Sequence, residues 1–274
     1  MGFEAAAVTF TAERGRTERT AEHASLAEAS KALPGGAYST LRTYSGTRLL
    51  RLRQHLDRLN ESAALLGAHG VLDDAEARDA IRVALHATAH SESRLRLTWA
   101  PPRFFVSVEA FTALPPELYR DGVACATVPV RRDNPHSKDT RFIATAEAAQ
   151  ARLPPGTHEG LMVAEDGAVL EGLSSNFFGV LASTLRTEAE RVLLGVTRSL
   201  VLEVARPVLP LGAGPIHRDD LPRLEEAFLT SVSRGILPAV SIDGIAVGSG
   251  RPGPLTLELM LRFAALEARE AEPV

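Results

Sequence analysis

Residues 157–181 read THEGLMVAEDGAVLEGLSSNFFGVL. Apolar residues crowd GLMVAE and AVLEG, and Asp166-Gly167 stands between them. An Asp-Gly pair supplies the positive φ that a tight hairpin needs, so two antiparallel strands are expected here. A Ser-Ser-Asn corner then leads into NFFGVL, a third strand. Glu171 lies among apolar residues at the end of the second strand. It precedes a glycine and a corner whose hydroxyls and amides can organise a bound group.

Working outward, GVACATVPV at 122–130 predicts an apolar strand, followed by the polar stretch RRDNPHSKD and a helix over 140–152. Downstream, helices are expected at 198–205, 219–225 and 255–269, with strands around 226–230 and 237–241 and a turn at Asp243-Gly244. Upstream, 8–15 and 37–44 read as strands, Ser45-Gly46 as a turn and TRLLRL as a short returning strand. The period then changes: Leu52, Leu56, Leu59, Ala63 and Leu66 fall on one helical face. A second helix spans 73–87 with Asp73 as its cap. RLRLTWA and FFVSVEAF, at 94–100 and 104–111, are strands separated by Pro101-Pro102. The expected fold class is α/β in the α+β sense, with two domains. A small one spans 1–112, a two-proline linker 113–120 and a larger domain 121–274.

The chain has 274 residues and is 45% hydrophobic, enough to bury a real core. A net charge of −4 gives no basic excess for nucleic acid. The single cysteine, Cys125, excludes an intrachain disulfide and a thiolate zinc cluster, and no metal is expected. There is no 18-residue apolar run and no secretory leader, so no membrane partner and a cytoplasmic location are expected.

Lysine is scarce: Lys31 and Lys138 stand against 28 arginines. An arginine-rich coding bias accounts for much of that, and a lysine in a polar turn is commonly just solvated. A deprotonated amine has one use that a guanidinium lacks, attack on a carbonyl to form an imine. That chemistry needs a carboxylate for a cofactor nitrogen, which Glu171 can supply, and a phosphate site. Gly195-Val196-Thr197 supplies the latter. Glycine permits close approach, and Thr197 is expected to cap a helix starting at Arg198. A second small-hydroxyl run, 230–235, ends a strand in the same half.

These residues, in this order, resemble the class IV aminotransferases, the fold type IV pyridoxal-phosphate enzymes. That group includes branched-chain aminotransferase, D-amino-acid aminotransferase and 4-amino-4-deoxychorismate lyase. The resemblance runs from about residue 35 to the C-terminus. It rests on HLDRL at 55–59, Lys138, LEGLSSNFFGVL at 170–181, GVTR at 195–198 and LTSVSRGILPAV at 229–240. It implies a D-amino-acid aminotransferase-like fold and pyridoxal 5′-phosphate as cofactor. Lys138 matches the lysine that holds the cofactor as an internal aldimine and shuttles the substrate proton. Glu171 matches the carboxylate on the pyridine nitrogen. Arg58, Val196, Thr197, Thr230 and Ser231 match phosphate-binding positions, Ser175 belongs to the cofactor-side corner, and Tyr38 matches an aromatic near the substrate. Amino-acid and 2-oxo-acid substrates and a homodimer, with each active site between the two domains, are implied too.

The chain departs from the family pattern on the substrate side. LPGGAYST lacks the usual Gly-Asp-Gly, and the Phe/Tyr-Glu pair is Tyr38-Ser39, closer to the deoxychorismate lyases. Where D-amino-acid enzymes carry Arg-Gly, this chain has Trp99-Ala100, leaving Arg103 as the nearby candidate for a substrate carboxylate. Asp139-Thr140-Arg141 also differs from the usual Asn-containing continuation. Three readings follow: a transaminase, an aminodeoxychorismate lyase yielding 4-aminobenzoate and pyruvate, and a catalytically degenerate binding protein. The first two need Lys138 and Glu171, and the retention of both opposes the third.

Overall fold

The computed structural model describes residues 7–274. The chain divides into two units. One holds the chain up to Thr112 with Ser137–Arg141 and Glu267–Val274, and the other holds Ala113–His136 and Phe142–Leu266. The first six residues of the expected N-terminal domain lie outside the described residues.

The first unit contains β1 (Ala7–Glu13), β2 (Arg16–His23), α1 (Leu26–Ala32), β3 (Ala37–Tyr44), β4 (Arg48–Leu50), α2 (Leu52–Leu65), α3 (Asp74–Thr88), β5 (Ser93–Ala100) and β6 (Arg103–Ala110). With Ala271–Pro273 the strands make an antiparallel sheet, in the order Ala271–Pro273, β4, β3, β5, β6, β1, β2. Strand alternation explains β5. Leu95, Leu97 and Trp99 enter the core, while Arg94 and Arg96 between them reach Glu109 and Ser30. The core is covered by α2, through Leu52, Leu56, Leu59 and Ala63, and by α3, through Ala77, Ala80, Ile81, Ala84 and Leu85. The helix α3 starts on Asp73, whose side chain accepts from Glu76 N–H at 3.0 Å. The helix α2 starts on Arg51 in a left-handed conformation (φ 51°) with no side-chain cap. That entry costs about 1–2 kcal/mol. Burying each leucine contributes about 1.5–3 kcal/mol, so the apolar stripe decides the helix.

The second unit contains α4 (Pro116–Asp121), β7 (Val123–Val128), α5 (Arg141–Gln150), β8 (Thr157–Val163), β9 (Ala168–Gly172), β10 (Asn176–Leu181), β11 (Thr184–Arg186), α6 (Val196–Ala205), β12 (Ile216–His217), β13 (Glu226–Ser231), β14 (Gly235–Ile242), β15 (Ile245–Ala246) and α7 (Pro254–Glu270); Arg141 and the last turn of α7 count with the first unit. The sheet runs β11, β10, β13, β14, β7, β8, β9, β12, with β15 on β14. A further pairing, Asn176 with Glu171, joins β10 back to β9 and closes six strands into a ring. β7 lies parallel to both β8 and β14. Parallel neighbours need a long crossover, and the segment between β7 and β8 carries Arg132, Lys138 and α5. The β8–β9 hairpin turns at Gly167 (φ +85°), as its Asp-Gly sequence predicts.

Several expectations are corrected. The stretch 113–120 is not all linker: Pro116 opens α4, where a missing N–H costs nothing. Residues 137–141 and 267–274 pack with the first unit, not with the rest of 121–274. The expected helix at 219–225 is a 3₁₀ turn over Arg218–Arg223 containing Pro222. The charged segment RTERTAEH, which shows no apolar alternation, is the edge strand β2 and is largely exposed.

Candidate active site

In the first unit, Lys138 is pinned through its backbone. Its N–H donates to Ser62 Oγ at 3.1 Å and its carbonyl accepts from Tyr38 N–H at 2.8 Å. On either side, Thr140 N–H donates to the Gly36 carbonyl, and Gly36 N–H donates to Thr140 Oγ1 at 3.1 Å. Gly36 is required here, because a Cβ would lie 2.5 Å from the Trp99 carbonyl oxygen. Lys138 Nζ sits 4.8 Å from the centre of the Tyr38 ring.

Beneath that strand, α2 presents His55, Arg58 and Ser62 at helical spacing. Arg58 Nη2 donates to Ser39 Oγ at 2.8 Å, and Ser39 Oγ lies 2.9 Å from His55 Nδ1. The Ser39 oxygen can accept from Arg58 and from an Nδ1–H together, or accept from Arg58 while donating its proton to a bare Nδ1, so the contact fits either neutral tautomer of His55. His55 is buried, and its imidazole is held well below its usual range, first by burial and then by the charges of Arg58 and Lys138. It is a neutral imidazole beside two cations. His55 opens the HLDRL motif, and nothing in the sequence alone marks it as a buried neutral imidazole. Asp57, the neighbour of Arg58 in the helix, pairs with Arg53.

In the second unit, Glu171 is buried against Arg132. Arg132 Nε donates to Glu171 Oε1 at 2.8 Å, with side-chain exposures of 6% and 3%. Leu193 N–H reaches the same oxygen at 3.3 Å, and Asn176 Nδ2 donates to Oε2 at 3.1 Å. Asn176 stands opposite Glu171 because of the ring-closing pairing. It also donates to the Leu193 carbonyl at 2.8 Å, tying the carboxylate to the segment that enters α6.

The helix α6 begins at Val196, two residues earlier than expected. Gly195 is its N-cap and no side chain caps it, so Thr197 lies inside the first turn. The Gly195 position faces Asn176, whose Oδ1 would be 2.4 Å from an added Cβ. Thr230 pairs with Asn176 across β10 and β13. Its buried Oγ1 has no hydrogen-bond partner among the described residues. Ser231 Oγ accepts from Arg234 Nε at 2.9 Å. Ser175 donates to Glu159 Oε2 at 3.1 Å, so this hydroxyl serves the corner itself. Arg234 also meets Glu159 Oε2 at 2.9 Å, a second buried pair. Arg103 is exposed at the start of β6, with its guanidinium 5.6 Å from the Phe105 ring centre. Arg132 and Glu159 carry no sequence signal of these roles, whereas Asn176 lies in the Ser-Ser-Asn corner and Arg234 in the 230–235 run, both legible from the sequence.

The chain matches the family model described as amino-transferase class IV over residues 36–242. It is 26% identical over 257 residues to the putative branched-chain-amino-acid aminotransferase of Methanocaldococcus jannaschii, covering 85% of this chain and 88% of that one. It is 28% identical over 238 residues to the D-alanine aminotransferase of Bacillus licheniformis, covering 81% and 83%. Among solved structures it is similar to a T.th. branched-chain amino acid aminotransferase with pyridoxamine 5′-phosphate. That match has a TM-score of 0.80 and 21% identity, covering 98% of this chain and 96% of that one.

Proposed function

The chain belongs to the class IV amino-transferase family, and on that premise we propose that Lys138 holds its cofactor and that Glu171 governs the cofactor's ring nitrogen. The enzyme is a pyridoxal-phosphate-dependent aminotransferase that passes an amino group between an amino acid and a 2-oxo acid. When bound, pyridoxal 5′-phosphate supplies the electron sink that allows the substrate's Cα–H bond to break.

The residues present fit that group. The uncapped start of α6 offers backbone N–H groups and the positive end of a helix dipole to a phosphate. The orphaned Thr230 hydroxyl lies one strand pairing from Asn176 and is a further donor for it. Arg58 supplies a guanidinium oriented through Ser39. Glu171 is a buried carboxylate whose orientation is set by three donors, as a partner for a protonated pyridine must be.

On this reading Lys138 Nζ takes the proton from the substrate's Cα and returns it. Glu171 keeps a proton at the ring nitrogen. Arg58 and the N–H groups of Val196 and Thr197 hold the phosphate. His55 stays neutral and holds Ser39, and through it Arg58. Tyr38 lies beneath the amine. A homodimer and a cytoplasmic location belong to the same proposal, testable by light scattering and by cell fractionation. The described residues contain no helix long and apolar enough to cross a membrane.

The observation that carries the reading is Lys138 over the Tyr38 ring, in one cluster with Arg58 and the neutral His55. The two lysines give a simple test. The protein is loaded with pyridoxal phosphate and reduced with borohydride, and the pyridoxyl group is located by peptide mass spectrometry. It is expected on Lys138 and absent from Lys138→Ala. Lys31, exposed and paired with Glu28, is the built-in control. Label on Lys31 alone, or none, refutes the assignment. A screen of L- and D-amino acids with 2-oxoglutarate or pyruvate then identifies donor and acceptor.

A further inference from the structure

A carboxylate that holds a proton on a pyridine nitrogen does so by its negative charge, and here part of that charge is already taken. Arg132 meets Glu171 through Nε alone, not through the two-pronged fork that arginine usually offers a carboxylate. Its Nη1 is buried and has no partner among the described residues. Its guanidinium carbon lies over the Phe142 ring, 3.8 Å from the ring centre. A buried ion pair with one donor unused is a poor device for stability, since the unused N–H has lost its water. Arg198 adds a second positive charge: burial pulls its guanidinium down, while the charges of Glu171 and Glu188 pull it up. The groups around Glu171 include Arg132, Arg198 with Glu188 behind it, the neutral Asn176 amide and the Leu193 N–H.

We propose that Arg132 is a positioning residue that limits how firmly Glu171 holds the cofactor's ring nitrogen in its protonated form. The inference rests on Glu171 being that nitrogen's partner. Guanidinium and pyridinium compete for one carboxylate. The proton count of the nitrogen–carboxylate pair is therefore lower with Arg132 present than without it. Removing the arginine leaves Glu171 with its whole charge for the ring.

The test uses the holoenzyme loaded with pyridoxal phosphate labelled with ¹⁵N in the ring, and reads the ¹⁵N chemical shift against pH. Arg132→Gln is expected to raise the pH at which the nitrogen loses its proton by about one to three units. Arg132→Lys, which keeps the charge, is expected to stay near the wild type. Arg132→Met removes the same charge and replaces the glutamine variant if that one does not fold. Glu171→Gln separates the two layers of the argument. If Glu171→Gln moves the nitrogen signal and neither charge-removing variant does, the role given to Arg132 is overturned while the pairing of Glu171 stands. If Glu171→Gln leaves the signal in place, the pairing is wrong and the inference falls with it. A shift toward the deprotonated nitrogen in Arg132→Gln also overturns it.

Discussion

Gly195→Ala should damage this site through one contact. A Cβ at position 195 would stand 2.4 Å from Asn176 Oδ1, where ordinary contact begins near 3.4 Å, so the amide must retreat by about 1 Å. Exposed side-chain ends move cheaply, but this one is buried and holds two bonds, 3.1 Å to Glu171 and 2.8 Å to the Leu193 carbonyl. A retreat of that size takes both out of hydrogen-bond range. The bond to a charged group is worth about 1.5–3 kcal/mol and the neutral one about 0.5–1.5 kcal/mol. Gly195 has φ −66°, so alanine brings no backbone strain and gains about 0.4–1 kcal/mol from the unfolded chain. The net loss is about 2–3 kcal/mol, read as a lower urea midpoint at unchanged slope in the cofactor-free protein. The loss should disappear in an Asn176→Ala background, where nothing remains to be displaced. A double-mutant cycle should therefore show an interaction energy of about 2 kcal/mol. Costs that add within about 0.5 kcal/mol would refute the steric argument.

Three more outcomes follow from other parts of the molecule. Glu226, buried on β13, accepts from Leu255 N–H, Thr256 N–H and Thr256 Oγ1 at 3.0, 2.7 and 2.6 Å, so it caps α7 from across the sheet. Glu226→Ala should cost about 3–5 kcal/mol of unfolding free energy, and a loss below about 1 kcal/mol would show the cap to be dispensable. His55 has a folded-state pKa below its unfolded value near 6.5. The unfolded chain therefore binds the extra proton as pH falls below about 6.5, and stability drops in that window by up to about 1.4 kcal/mol per pH unit. His55→Gln should flatten the slope of stability between about pH 7 and 5. His158 is also pulled down, by burial and then Arg234 with Glu159 opposing, and leaves a residual slope; an unchanged slope would refute the assignment. Burial, reinforced by Glu159, pushes the Cys125 thiol up to about 12, so Ellman's reagent at neutral pH should find no thiol in the native protein and one in urea.

Much of the scaffold was legible because its signals are local. The strand 37–44, the α2 stripe and the Asp-Gly hairpin each follow from a period or a turn preference inside the segment. The residues that orient the candidate site were not, because their roles are set by partners far along the chain. Arg131 and Arg132 are identical neighbours in an aperiodic loop. The first is 73% exposed and pairs with exposed Glu165, while the second is buried on Glu171, and nothing in RRDNP tells them apart. Thr197 looked like a cap by composition. Gly195 takes that position instead, where Asn176 arriving from β10 leaves no room for a side chain. Ser39 was legible as a missing glutamate, but its hydroxyl acquires meaning only from His55 and Arg58 on the neighbouring helix.

The corner LEGLSSN shows why one short stretch holds so much of the family pattern. Gly172 N–H donates to the Ser175 carbonyl, and a Cβ on Gly172 would meet Ser175 Oγ at 2.2 Å and displace that hydroxyl from Glu159. The corner brings Asn176 opposite Glu171 and closes the sheet. The same corner supplies the Ser174 and Ser175 hydroxyls to Glu159, which Arg234 neutralises. Each residue is thus constrained twice, by backbone closure and by a buried charge needing donors, and a buried carboxylate left without either would cost several kcal/mol. Tyr38-Ser39, Trp99-Ala100 and Arg103 belong to the first unit and are not part of the backbone closure that this corner makes. The chain can therefore depart from the family pattern at those positions while the carboxylate, its amide and the start of α6 keep their arrangement.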